Sequence, residues 1–189
     1  AEGHSGGGLK VTLGGIDDVD VYGMSGAWEA GFLLDRSTPV TLTLRYNLTQ
    51  WPNFEPDEHS QLLVQLGDQL MSPDAGDVIA QVVGDGEGGS PLTTGWQTLN
   101  LSLGQLTAGA HTIRIGAYNN KKTYNNEVTE AIFDDVTLMA LMADGGRPVG
   151  GYVADHRIPA DQLNYLTGGN GHLAIGFKIK DPGSQACSL

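Results

Sequence analysis

Two adjacent carboxylates, Asp134 and Asp135, interrupt the segment Ala131-Ile-Phe-Asp-Asp-Val-Thr-Leu138, which otherwise alternates apolar and polar residues. At period two, Ile132, Val136 and Leu138 share a face with Asp134, the pattern of a half-buried strand. A carboxylate on that oily face must be paired, hydrogen-bonded or metal-bound, because burying it bare costs at least several kcal/mol. Two other stretches carry side chains suited to recognition. Gln50-Trp-Pro-Asn-Phe-Glu-Pro-Asp-Glu58 sets Trp51 and Phe54 beside Glu55, Asp57 and Glu58. Residues 118–126 set Tyr118 and Tyr124 among Asn119, Asn120, Asn125, Asn126, Lys121 and Lys122. Aromatic rings stack on the apolar faces of sugar rings, and asparagine amides both donate to and accept from paired hydroxyls. The same residues also fit a lid over a core and a set of asparagine turns. The acidic stretch adds a second ligand class, since Trp51 with Glu55, Asp57 and Glu58 suits a surface calcium that bridges to a sugar diol or a peptide carboxylate.

Catalytic patterns are missing. No His-Glu-x-x-His, P-loop or Cys-x-x-Cys occurs in the chain. His4, His59, His111, His156 and His172 have no ligand spacing. His111 alternates with inward-facing residues and reads as a core residue, and Asp155-His156-Arg157 reads as an exposed turn. Glycosidases need two acids at a fixed separation across a cleft, which no spacing here defines. Tyr46, His59 and Arg45 can be assembled into a lyase-like set, but so can many other trios. The expectation is a chain that is not an enzyme.

The elements that must position these residues are strands. Val40, Leu42, Leu44 and Tyr46 alternate with polar neighbours, as do Leu99, Leu101 and Leu103, and Ile113, Ile115 and Ala117. Leu9–Leu13, Trp28–Leu34, Gln61–Leu66 and Asp77–Val83 read as further strands, with Trp28 and Trp96 in the core. The 189 residues include 28 Gly and no sustained helical period. They imply an all-β fold, an antiparallel β-sandwich. Residues 1–8 read as a flexible lead-in and 9–143 as the sandwich. Residues 144–189 read as an extension that packs on it or opens a truncated repeat, with His172–Lys180 as one more strand. The net charge of −12 with only 10 Lys+Arg argues against nucleic acid and against an anionic membrane surface. No apolar run approaches the roughly 20 residues of a membrane span. Cys187 is the single cysteine, so no internal disulfide can hold the fold. That combination suits a secreted bacterial protein stabilised by calcium.

The middle of the chain resembles a known group. Thr41-Leu-Thr-Leu-Arg-Tyr-Asn47, Leu63-Val-Gln-Leu-Gly-Asp68, Trp96-Gln-Thr98, Ala108-Gly-Ala-His-Thr-Ile-Arg-Ile115 and Phe133-Asp-Asp-Val-Thr-Leu138 occur in order. They look like the jelly-roll carbohydrate-binding modules and related adhesion domains of bacterial secreted proteins, over roughly residues 28 to 141. Gly176-Phe-Lys-Ile-Lys-Asp-Pro-Gly183 is similar to strand ends of cadherin-like repeats in large bacterial adhesins. The resemblance implies a jelly roll that is secreted or at the cell surface and acts as a monomeric module without membrane insertion. It implies a glycan ligand, or alternatively a peptide, taken by loops at one end through Trp51, Phe54, Tyr118, Asn119, Asn120, Tyr124 and Asn125. It also implies Ca2+ at Asp134 or Asp135 with an acidic partner from the N-terminal strands. Asp18 and Asp20 are the leading candidates for that partner, with Asp17 and Glu29 behind them. The alternative is that Asp134 caps backbone amides or pairs with Arg45 or Arg114.

Overall fold

Wherever apolar residues recur at every second position, the chain is extended and pairs antiparallel. The computed structural model describes residues 3–74, 76–86, 88–141, 167–168 and 172–176. Twelve strands follow in order: β1 (Leu9–Gly14), β2 (Val21–Leu34), β3 (Thr38–Gln50), β4 (His59–Leu66), β5 (Gln69–Met71), β6 (Ala80–Val83), β7 (Leu92–Thr93), β8 (Gln97–Leu106), β9 (Gly109–Lys122), β10 (Val128–Leu141), β11 (Thr167–Gly168) and β12 (His172–Gly176). They form two sheets that pack face to face as an all-β sandwich, with no helix among the described residues.

In the first sheet β3 and β10 are central. β8 and β7 pair along the free side of β3, and β1 and β12 pair along the free side of β10. In the second sheet β9 lies between β2 and β4, and β5 and β6 share the far side of β4. The inward rows meet between the sheets. Leu42, Leu44, Leu48, Leu62, Val64, Phe133 and Leu138 are all buried there. Because side chains alternate across a strand, these rows leave the intervening residues, such as Thr41, Thr43 and Asn100, on the outer faces. Of residues 144–189, only β11 and β12 are described, with β12 pairing against Thr137–Leu141 of β10. Asp155-His156-Arg157 and Cys187 lie outside the described residues.

The Asp-Asp pair breaks the rule that revealed its strand. Asp134 pairs with Arg45 and Thr137 pairs with Thr43, so β10 carries one more residue than β3 between those points. Asp135 absorbs this bulge with φ of 51°, a left-handed conformation that aspartate tolerates better than most residues. Phe133 therefore faces the core, and so do Val136 and Leu138, while Asp134 turns outward. The expectation of Asp134 on the oily face is corrected by this phase shift, which a strict period of two cannot register. Its carboxylate instead accepts the Ser5 amide at 2.8 Å and caps the N-terminal segment, while Asp135 pairs with Arg45 at 3.5 Å. His4 follows the same surface. Its Nε2 lies 2.9 Å from Arg45, and its ring meets Trp96 edge-on at 5.4 Å.

Trp28 and His111 also depart from the core expected for them. Trp28 is 45 % exposed, and its indole N–H donates to the Lys10 carbonyl at 3.1 Å, joining the edge strands of the two sheets. His111 is half-buried, stacked on Phe32 at 5.3 Å, with Nε2 2.8 Å from the Thr107 carbonyl. Phe133 is the largest apolar side chain of β10 that is fully buried. Phe133→Ala should cost about 3–5 kcal/mol in urea denaturation. A loss under about 1 kcal/mol would mean that the two sheets do not close on this ring as described.

Candidate functional site

At the end of the sandwich where β3 leads to β4 and β9 leads to β10, the inward rows change character. Along β4 and the residues before it, Val64, Leu62, Ser60 and Glu58 all point inward and are buried. Along β10 the matching series is Phe133, Ala131, Thr129 and Glu127. β3 contributes Leu48 then Gln50, and β9 contributes Ala117 then Asn119. The interior thus passes from an apolar layer, through an uncharged polar layer, to a pair of carboxylates.

The polar layer bonds across the two sheets. Ser60 Oγ lies 2.6 Å from Thr129 Oγ1, and the Asn119 amide donates to Thr129 Oγ1 at 2.9 Å and Ser60 Oγ at 3.4 Å. Gln50 stands opposite Thr129 in the β3–β10 ladder and is 1 % exposed. Neither atom of its amide has a hydrogen-bond partner among the described residues.

Above this layer Glu55, Glu58 and Glu127 each present an oxygen, all within 4.8 Å of one another. They are the one group of three or more potential metal-ligating side chains among the described residues. Glu58 and Glu127 are fully buried. Glu127 caps its own turn by accepting the Tyr124 amide at 2.9 Å, together with the Thr123 amide and hydroxyl. Glu58 Oε2 accepts the Glu55 amide at 2.9 Å. Glu58 Oε1 is buried without an aligned hydrogen bond, although the Lys121 ammonium reaches within 3.2 Å of it as an ion pair. That ammonium also holds Asp57 at 3.1 Å. Burial, then the neighbouring Glu55, and then the charge of Glu127 push Glu58 from 4.5 up to about 7. Asp57, followed by Glu58, holds Lys121 above the usual lysine range. Lys122, 2 % exposed, turns elsewhere and pairs with Asp17 at 3.1 Å, which lowers the Asp17 pKa.

Main-chain bonds fix the loops around the carboxylates. The Gly84 amide donates to the Glu58 carbonyl and the Gly86 amide to the Phe54 carbonyl, each at 2.9 Å. A Cβ on Gly84 would fall 2.3 Å from the carbonyl oxygens of both Phe54 and Glu55, so only glycine allows this approach. Phe54, 2 % exposed, closes the underside of the loop. Outside lies an open cleft of about 410 Å³ lined by Asp18, Asn53, Glu55, Gly86, Tyr124, Asn125 and Asn126. Asp18 accepts the Asn125 amide at 2.9 Å, which ties the β1–β2 connection to the cleft wall.

Among the seven residues expected to meet a ligand, Tyr124 and Asn125 line this cleft, and the other five do not. Phe54 and Asn119 are interior residues, 2 % and 0 % exposed, where surface loop residues were expected. Tyr118 faces the outer surface of its sheet, 6.3 Å from the His59 ring. Asn120 is engaged by the His59 amide at 2.6 Å and the Asp57 carbonyl at 2.8 Å. Trp51 donates from its indole nitrogen to Glu130 at 3.1 Å and stays 43 % exposed outside the cleft.

The four aspartates expected to share a metal fall apart into two places. Leu9 is opposite Phe133 and Gly14 is opposite Val128, so the length of β1 separates Asp134 and Asp135 from Asp18 and Asp20. At about 3.3 Å per residue that is on the order of 16–20 Å. Glu127 was not among the residues expected from sequence. Its signal is the series Glu127-x-Thr-x-Ala-x-Phe133, matched by Glu58-x-Ser-x-Leu-x-Val64, in which each inward row simply continues into an acid.

No protein-family model and no curated protein matches the chain. The solved structures that bear a distant likeness include these two. One is the structure of infectious bursal disease virus Gx strain, at 10 % identity, over 67 % of this chain and 31 % of that one, with a TM-score of 0.33. The other is the T13 IBDV viral particle, at 13 % identity, over 93 % of this chain and 44 % of that one, with a TM-score of 0.22. The chain spans less than half the length of either. Scores this low carry no argument about function.

Glu58 generates a pH prediction for chelator-treated protein. Its folded pKa is raised from 4.5 to about 7, so the folded chain keeps a proton that the unfolded chain has released. Its contribution to stability is therefore fully present below about pH 4.5 and is lost as the pH rises through about 7. Glu58→Gln should flatten that decline in denaturation free energy. An unchanged slope in the variant would show that Glu58 ionises normally.

Proposed function

We propose that the chain is a non-catalytic module that binds carbohydrate at this end of the sandwich, with calcium as cofactor, in a protein that is secreted or displayed at a cell surface. The carrying observation is the open cleft that sets the Tyr124 ring, 52 % exposed, beside Asn53, Asn125 and Asn126. A ring supplies a flat apolar surface for a pyranose, and primary amides match its hydroxyl pairs. The loops that carry them are bonded to one another and to two sheets, so little ordering is lost on binding. Loop sites on a rigid scaffold are a common arrangement for recognition. A glycan array followed by calorimetry on the strongest hit, with calcium present, tests the reading. A peptide panel run alongside distinguishes the other ligand class suited to the acidic wall.

Tyr124→Ala should weaken glycan binding about tenfold or more, equivalent to at least about 1.4 kcal/mol, with no change in melting temperature. Trp51→Ala, outside the cleft, should leave affinity intact. Equal affinities for wild type and Tyr124→Ala, or losses confined to Trp51→Ala, would remove the cleft from the argument.

A further inference from the structure

We propose that Glu55, Glu58 and Glu127 form a divalent-cation site beneath the cleft, and that calcium is the ion it takes. This assigns residues to the calcium of the carbohydrate reading but stands on separate observations, so either can fail alone. The three carboxylates converge within 4.8 Å from two loops far apart in sequence. Two of them are fully buried, an arrangement that like charges resist without a cation between them. Lys121 is the ammonium that reaches the group, and it divides its charge between Glu58 and Asp57.

The independent pointer is the Gln50 amide, 1 % exposed, with neither of its polar atoms hydrogen-bonded among the described residues. Native interiors seldom leave such an atom unsatisfied. Gln50 lies on the same inward face, one ladder step below Glu127, and Glu58 Oε1 shares the Lys121 ammonium, 3.2 Å away, with Asp57. The donor set is oxygen only, which selects a hard cation. Calcium accepts irregular shells of six to eight oxygens, partly from water, whereas magnesium demands a near-ideal octahedron. The cleft side of Glu55 leaves room for those further oxygens. Bound there, the ion would join the 51–58 loop to the 123–127 turn, and Lys121 would remain with Asp57.

The test uses the full chain and calcium alone, by calorimetry and by thermal melting after chelation. Wild type should bind calcium saturably and melt several degrees higher with it, and magnesium should give a smaller shift. Glu58→Gln and Glu127→Gln should each weaken calcium at least tenfold while melting no lower than wild type in chelator. Glutamine keeps the shape and one carbonyl acceptor, so the Glu127 cap survives. Glu55→Gln, at a half-exposed position, serves if a buried variant fails to fold. Asp134→Asn should leave the calcium shift unchanged. Absence of calcium heat and of any melting shift in wild type would overturn the site and leave Lys121 as the sole counter-charge. A full shift persisting in the three glutamine variants, or lost in Asp134→Asn, would overturn it as well. Glycan binding that survives chelation would sink the calcium dependence of the carbohydrate reading, not the ion site.

Discussion

The burial of Glu58 and Glu127 governs the architecture of the loop end. A carboxylate removed from water needs donors or counter-charge close by, and each of these finds part of both. Glu127 draws the amides of Thr123 and Tyr124 into a turn, and Glu58 draws in the amide of Glu55. The 84–86 segment then lies across the loop through main-chain bonds that glycine alone permits. Ser60, Asn119 and Thr129 beneath them form a transition between charge and hydrocarbon. If Glu58 and Glu127 were leucines, the amides of Glu55, Thr123 and Tyr124 would lose these side-chain acceptors.

The second constraint is the bulge at Asp135. One extra residue in β10 allows Phe133 and Val136 both to face the core and pushes the acidic pair out to where Arg45 and Ser5 meet it. The stabilisation is modest at such exposure, since surface ion pairs contribute about 0–1 kcal/mol. Its greater effect is geometric: it sets the phase of the whole second half of β10 against β3.

Most of the fold was legible because the strands that build it alternate cleanly. Leu42-x-Leu44 and Leu99-x-Leu101-x-Leu103 leave no other reading. What alternation cannot convey is where its phase slips, which is why Asp134 read as inward, or which strands lie side by side. Pairing decided that Asp18 belongs with Asn125 and not with Asp134, a distinction carried by register alone. The aromatic loops were visible as loops, yet Phe54 and Tyr124 look alike in sequence, and one plugs the loop while the other faces water. Glu127 was readable in principle. Its position two residues before Thr129 continues an inward row, but an acid at a strand start is ordinarily taken for a solvated end.

The N-terminal segment has a consequence of position. Residues 3–6 lie over the bulge, held by Asp134 and Arg45, and β1 then runs the chain toward Gly14 beside the glutamates. Residues 3–6 thus sit on the flank of the sandwich, a strand's length from the cleft.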